Sequence, residues 1–207
     1  GKGRKTAPEN APDFATELIG VCAVLDYLER LNLASMPEQP SLRERAAQLV
    51  AALAAAQHAS GGWPWCAGPA QDSGESSARA LWALCAARAR GLHVPAGGIE
   101  AAVSVVQEAL RRSPGHALEE SAMYLHALAV AGAADFGVAN RLHRARNEMN
   151  TAALAYTTLA LTALNSGPMA AETATLLSAR HVAGQGWRDE KKRGWHRDPA
   201  ELTALAL

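Results

Sequence analysis

One decapeptide pattern recurs in this chain without a gap. Glu75-Ser76-Ser77-Ala78-Arg79-Ala80-Leu81-Trp82-Ala83-Leu84 aligns on Glu119-Glu120-Ser121-Ala122-Met123-Tyr124-Leu125-His126-Ala127-Leu128. Glu201-Leu202-Thr203-Ala204-Leu205-Ala206-Leu207 repeats its beginning. Asn150-Thr151-Ala152-Ala153-Leu154 is a variant with Asn in place of Glu, and Thr16-Glu17-Leu18-Ile19-Gly20 is a weaker echo. Self-similarity at this scale marks one supersecondary unit stacked on copies of itself. Each copy opens a stretch that is small and apolar on nearly every side, as a helix surrounded by other helices must be. The intervening stretches are amphipathic, as in Ser41–His58 with Arg43, Glu44, Arg45 and Gln48. Alternation of enclosed and half-exposed helices predicts two concentric layers of helical hairpins, an α/α toroid, complete or partial.

Apolar spacing extends this reading to the whole chain. Leu18, Val21, Cys22, Leu25 and Leu28 form one helical stripe, closed by Pro37 and Pro40. Leu42, Ala46, Leu49, Val50 and Leu53 form the next, ended by Gly61-Gly62. Further helices are predicted near 74–90, 97–112, 118–132, 138–147, 150–165 and 169–182, with a last one starting near Pro199. Almost nothing alternates with period two, so the fold class is all-α, with about nine helices and short loops. Residues 1–12 read as linker or disordered chain, and 13–207 as a single α/α-toroid domain. The chain opens on Gly1 and stops inside the apolar run Leu202–Leu207, as a domain excised from a longer chain would.

Charge and cysteine content exclude several functions. Lys+Arg number 20 and Asp+Glu number 20, so neither counterion release nor a long-range field draws this chain to nucleic acid. Three cysteines (Cys22, Cys66, Cys85) with no C-x-x-C pair argue against a disulfide framework or a structural zinc site. No apolar run approaches the roughly 20 residues of a membrane span, so this segment predicts no membrane insertion.

Trp supplies 5 of the 10 aromatic residues, and its placement is informative. Trp63 and Trp65 follow an amphipathic helix in Gln57-His58-Ala59-Ser60-Gly61-Gly62-Trp63-Pro64-Trp65. The spacing Q-x-x-x-G-x-W has a mechanical sense: glycine permits a sharp helix exit, Trp stacks over the helix end and the Gln amide caps loose backbone groups. Gly184-Gln185-Gly186-Trp187 precedes the final helix in the same way, with Trp195 in the same loop, while Trp82 lies inside a helix. Two readings compete, loop staples and an aromatic-lined cavity for an apolar or carbohydrate ligand. Each repeat also carries a carboxylate at a helix N-terminus, where the dipole favours it by roughly 0.3–1 kcal/mol. If those ends converge, the candidate ligand-binding residues are Trp63, Trp65, Asp72, Glu75, Trp82, Glu119, Glu120, His126 and Glu201. No catalytic residue, metal or cofactor is assigned.

Q-x-x-x-G-x-W followed by a small-residue helix resembles the repeat of the α/α-toroid superfamily, which includes triterpene cyclases, protein prenyltransferase β subunits and thioester domains of α2-macroglobulins and complement proteins. The chain most resembles the thioester domain of bacterial α2-macroglobulins. Val24-Leu25-Asp26-Tyr27-Leu28 is similar to the end of that domain's first inner helix. The order then continues through Gln57–Trp65 and the small-residue helix to Ala89 and Gly91. Leu154–Leu164 and Glu201–Leu207 are similar to its later inner helices. The resemblance spans most of Phe14–Leu207 and implies a periplasmic or extracellular location within a larger protein.

That family's signature is a Cys-Gly-Glu-Gln thioester between a Cys thiol and a Gln side chain three residues on. Aligned without gaps from Leu25-Asp26-Tyr27-Leu28, the Cys position holds Asn10 and the Gln position Asp13, and no Cys-x-x-Gln occurs anywhere. The cyclase signatures are also missing. No Asp-x-Asp-Asp is present, and Asp72-Ser73-Gly74-Glu75 after Gly62-Trp63-Pro64 lacks the Cys of the oxidosqualene-type segment. Asp72 there reads first as a helix cap. A prenyltransferase-like zinc site would need Asp72 or Asp198, Cys85 and His126 to converge, and no local ligand spacing supports it. His126 matches Trp82 in the repeat and reads as a packing residue. Arg188–Arg193 reads as a solvated loop of mixed charge. The leading expectation is a non-catalytic thioester-domain-like module without a thioester, whose partners are other domains of its parent chain or another protein. The alternative is a prenyltransferase- or terpene-cyclase-like enzyme or apolar-ligand binder, with its cavity lined by Trp63, Trp65, Trp82, Glu75, Glu119 and Glu120.

Overall fold

The computed structural model of the chain describes residues 10–33, 36–65, 71–95, 97–187 and 199–206, with the side chains of 199–202 excepted. Among them are nine α-helices: α1 (Ala11–Arg30), α2 (Gln39–Ala56), α3 (Gly74–Ala89), α4 (Gly98–Arg112), α5 (Leu118–Val130), α6 (Phe136–Arg144), α7 (Thr151–Ala163), α8 (Gly167–Ser178) and α9 (Pro199–Ala206). The fold is all-α as expected; among the described residues only two isolated bridges, Pro64 with Asp72 and Val182 with Gly186, interrupt it. Helix α1 starts at Ala11, inside the stretch read from sequence as linker, because Asn10 caps it by accepting the Asp13 backbone N–H at 3.1 Å.

The chain divides into two compact units, Gly1–Val106 and Gln107–Leu207. In the first, α1 and α3 run parallel. The Arg79 guanidinium near the start of α3 reaches the Thr16 hydroxyl at 3.0 Å, and Arg90 at its end bonds Asp26 at 2.6 Å and Glu29 at 2.9 Å. Helix α2 is tied to α1 at two levels. Arg45 makes a bidentate pair with Glu17 at 2.6 and 2.7 Å, and Arg43 bonds Glu29 at 3.0 Å and the Arg90 carbonyl at 3.2 Å. The hydrogen bond from Arg45 holds the Glu17 carboxyl below its ordinary range. Leu18 and Leu25 of α1, Leu49 and Leu53 of α2, and Leu81 and Leu84 of α3 fill the core between them.

In the second unit α5 and α7 pair likewise. Asn150 Nδ2, at the N-cap of α7, donates to Glu119 in the first turn of α5 at 2.5 Å. One to two turns on, the rings of His126 and Tyr156 lie 6.0 Å apart. Nine consecutive residues of α5, Ser121–Ala129, and seven of α7, Thr151–Thr157, are buried. Helices α6 and α8 bury one stripe each, Ala139 and Leu142 in the first and Ala170, Thr173 and Leu177 in the second. Helices α3, α5 and α7 are therefore enclosed, whereas α1, like the even-numbered helices, buries one side and exposes the other.

The four long odd-numbered helices end alike. Asn32, Gly91, Gly132 and Asn165 take positive φ of 53°, 73°, 75° and 55°. One residue later the N–H of Leu33, Leu92, Ala133 or Ser166 reaches back to the carbonyl of Leu28, Ala87, Leu128 or Leu161, at 2.8, 3.1, 2.8 and 2.9 Å. This is the Schellman closure, in which a left-handed residue lets the chain satisfy a last-turn carbonyl and leave the helix at a fixed angle.

Candidate functional site

The Gln57–Trp65 turn is built around the end of α2. The Gln57 N–H bonds the Ala54 carbonyl, which leaves the Leu53 carbonyl of the last turn without its helical donor. The indole N–H of Trp63 fills that place at 2.9 Å, with the ring wholly buried. The Trp63 backbone N–H donates to the Ser77 hydroxyl in α3 at 3.0 Å, so this one residue joins two helices. Gln57 Nε2 donates to the carbonyls of Gly61 and Gly98, each at 2.9 Å, which adds the start of α4. Gly61 has φ +91°, and a Cβ there would lie 2.8 Å from the Ala101 backbone; one on Gly62 would lie 2.5 Å from the Asp72 carboxylate. Both positions demand glycine.

The second unit repeats this device. The Trp187 indole donates to the Leu177 carbonyl at 2.8 Å, ten residues back as in the first copy, and its backbone N–H reaches the Thr203 hydroxyl in α9 at 3.3 Å. Val182 N–H bonds the Gly186 carbonyl at 3.0 Å, as His58 N–H bonds the Gly62 carbonyl at 2.9 Å. At the place of Gln57 stands His181, whose ring packs on Trp187 with centroids 4.6 Å apart. Ser77 and Thr203 are matching positions of the sequence repeat, and both hydroxyls accept the Trp backbone N–H.

Asp72 sits under the first turn with both oxygens engaged. Its Oδ1 lies 2.8 Å from His58 Nδ1 and its Oδ2 accepts the Ser60 hydroxyl at 2.5 Å. Serine, aspartate and histidine are together, but aspartate stands in the middle and bonds both others, so no histidine is placed to activate the serine. The cluster is a loop clamp. Ser73, and not Asp72, caps α3 by accepting the Ser76 N–H at 3.3 Å.

The other candidates are distributed as follows. Trp65 is 44% exposed, and Glu75 and Trp82 are half-buried. Glu119 receives the Asn150 amide, and Glu120 beside it is half-buried. His126 is fully enclosed, and burial pushes its pKa down to about 4, so the ring is neutral at ordinary pH. Burial also raises the Cys22 thiol to about 11 and the Cys85 thiol in the same direction, which makes both poor nucleophiles. The Glu201 side chain, Cys66, Trp195, His196, Asp198 and Arg188–Arg193 lie outside the described residues. Among the described residues no three His, Cys, Asp or Glu side chains are grouped to hold a metal, and no helix is long and apolar enough to cross a membrane. Ser60, Ser77 and Thr203 belong to these turns and are not among the residues the sequence points to; the signal for the last two is their shared place in the repeat.

No family model and no curated protein matches the chain in sequence. Solved structures do match in fold. Native Escherichia coli α2-macroglobulin from domain MG7 to the C-terminus superposes with a TM-score of 0.65 at 16% identity, covering 84% of this chain and 29% of that one. The native conformation of the whole E. coli protein gives 0.68 and 16%, covering 92% of this chain and 12% of that one. Salmonella α2-macroglobulin reacted with methylamine gives 0.68 and 16%, covering 98% and 15%. The chain thus spans under a third of the length of each of these structures. What it shares with them is the helical fold of a segment from the C-terminal region of bacterial α2-macroglobulin.

Proposed function

We propose that this chain is a non-catalytic module of the bacterial α2-macroglobulin thioester-domain type, an α/α toroid in architecture, that serves protein interaction within a larger protein and makes no covalent bond to its targets. The fold likeness supports the module type. The observation that carries the loss of covalent chemistry is the N-terminus of α1. Where the family resemblance puts the thiol and the amide of a thioester stand Asn10 and Asp13, and the Asn10 side chain caps α1, its Oδ1 accepting the Asp13 backbone N–H at 3.1 Å. A carboxamide at the first position offers no sulfur, and a carboxylate at the second offers no amide from which ammonia could be lost. Neither buried thiol substitutes for them, since desolvation disfavours the thiolate at Cys22 and Cys85.

The test is amine capture. The 207-residue chain is incubated with a biotinylated primary amine, in native buffer and again with low denaturant to expose any hidden acyl group. Denaturing electrophoresis then separates bound from free label. No biotin should remain with the protein under either condition. Label that survives denaturation would show an acyl trap and overturn the reading.

A further inference from the structure

Helix α6 carries a pair of cations that the described residues leave unanswered. Residues 136–147 hold Arg141, Arg144, Arg146 and His143 and no acidic residue, in a chain whose formal net charge is +0. Two of these groups are engaged, since His143 Nε2 and Arg146 Nη2 each meet Glu172 of α8 at 3.1 Å. Arg141 and Arg144 are exposed, and among the described residues neither meets a carboxylate. The carbonyls at this helix end do not need them either. Ala145 N–H bonds the Arg141 and Leu142 carbonyls at 3.2 and 3.0 Å, and Arg146 Nη1 bonds that of His143 at 3.0 Å. By contrast Arg30, Arg43, Arg45, Arg90, Arg111 and Arg112 are all spent on carboxylates. Like charges three residues apart on a helix repel, a cost to the free chain that a bound anion removes. Phe136 of the same helix is 55% exposed, while Ala139 and Leu142 face inward.

The spacing of these three side chains selects the partner. Arg141 and Arg144 are helix neighbours, with about 5–6 Å between Cβ atoms. Phe136 lies about 7.5 Å further along the axis, at 1.5 Å per residue. An extended peptide turns every second side chain to one side, about 6.6 Å apart. Two carboxylates and an apolar side chain at alternate positions therefore match Arg144, Arg141 and Phe136 in order and in length. A guanidinium takes a carboxylate through two parallel N–H donors, so each arginine favours this chemistry over a diffuse negative field. We infer that the outer face of α6 docks an extended acidic segment of a protein partner. Its carboxylates sit on Arg144 and Arg141, and its apolar side chain, two positions on, sits against Phe136.

Such a partner gives the interaction role proposed above its chemistry and presupposes that role. The two fail separately, because amine capture reads covalent bonding and peptide binding does not. The probe is a fluorescein-labelled peptide, Gly-Glu-Ser-Glu-Ser-Leu-Gly, titrated with the 207-residue chain by fluorescence anisotropy at low salt. Saturable binding is expected, and it should weaken as salt screens the pairs. Arg141→Glu and Arg144→Glu should each raise Kd several-fold, and both together at least about tenfold, with thermal stability kept because both side chains are exposed. Phe136→Ser should raise Kd several-fold without changing the salt dependence. Arg88→Glu, at an exposed arginine of α3, should leave Kd unchanged. The double variant should gain binding of the same peptide with Lys in place of Glu, a reversal that mere surface damage does not produce. A chain that does not bind the acidic peptide, or binds it equally after both reversals, would overturn the proposal. So would capture by phosphatidylserine vesicles in place of the peptide, which would assign the two arginines to a lipid surface.

Discussion

At the scale of single residues, Trp63 and Trp187 each tie the end of one helix to the helix that follows. Trp63→Phe keeps a ring in the pocket but removes the donor from the Leu53 carbonyl, so stability should fall by about 1–3 kcal/mol in urea unfolding, the cost of a buried acceptor left alone. Trp187→Phe should cost less, because that ring is half-exposed and Leu177 also accepts from the Arg180 N–H. Gly62→Ala forces a methyl group onto the Asp72 carboxylate and should cost about 1–3 kcal/mol by the same measurement. His126 supplies a pH signature. Its folded-state pKa lies near 4, below the ordinary 6.5, so the unfolded chain takes up the proton first as pH falls. The stabilisation is complete above pH 6.5 and lost on the way down to 4, by about 3 kcal/mol at most. His126→Leu should flatten that part of the stability–pH curve in urea titrations, and an unchanged slope would refute the assignment. The roles of Trp63 and Gly61-Gly62 were legible in the spacing Q-x-x-x-G-x-W. The partners Ser77 and Asp72 were not, since neither a serine inside a helix nor an aspartate before one announces which distant N–H or hydroxyl it meets.

At the scale of elements, the enclosure of α3, α5 and α7 could be read from side-chain size alone, whereas α1, the weaker echo of the repeat, keeps an exposed face. The closures could not be read as a set, because two use glycine and two use asparagine. Gly91 and Gly132 are conventional left-handed residues, whereas Asn32 and Asn165 bear a Cβ in that conformation. Asn165→Gly should therefore stabilise the second unit by some tenths of a kcal/mol, and Asn165→Ala should destabilise it by about 1 kcal/mol, both readable as shifts in the urea midpoint. The predicted helix near 138–147 shows why boundaries are harder than existence. Asp135 accepts the Val138 N–H and starts α6 two residues early, at Phe136, while Ala145 ends it ahead of a short 3₁₀ turn, Arg146–Glu148. Capping is decided by one hydrogen bond, which apolar spacing does not encode.

At the scale of the whole molecule, the α2-macroglobulin resemblance read from a few short motifs agrees with the fold found in the E. coli and Salmonella structures, although only 16% of residues are identical. In this chain the fold rests on small residues in the enclosed helices, left-handed helix closures, and tryptophans that join one helix to the next. Chemistry is less tolerant, since a thioester needs one sulfur and one carboxamide three residues apart. The central claim is that this chain shares the fold and carries no thioester, with Asn10 capping α1 and Asp13 three residues on. Intact-mass spectrometry of the untreated, unreduced protein tests it most directly, because closing a thioester from Cys and Gln expels one ammonia. The mass should equal that of the 207-residue sequence without loss, and methylamine treatment should neither change it nor release a thiol. A mass short by one ammonia, regained as a methylamine adduct with one new thiol, would contradict the account.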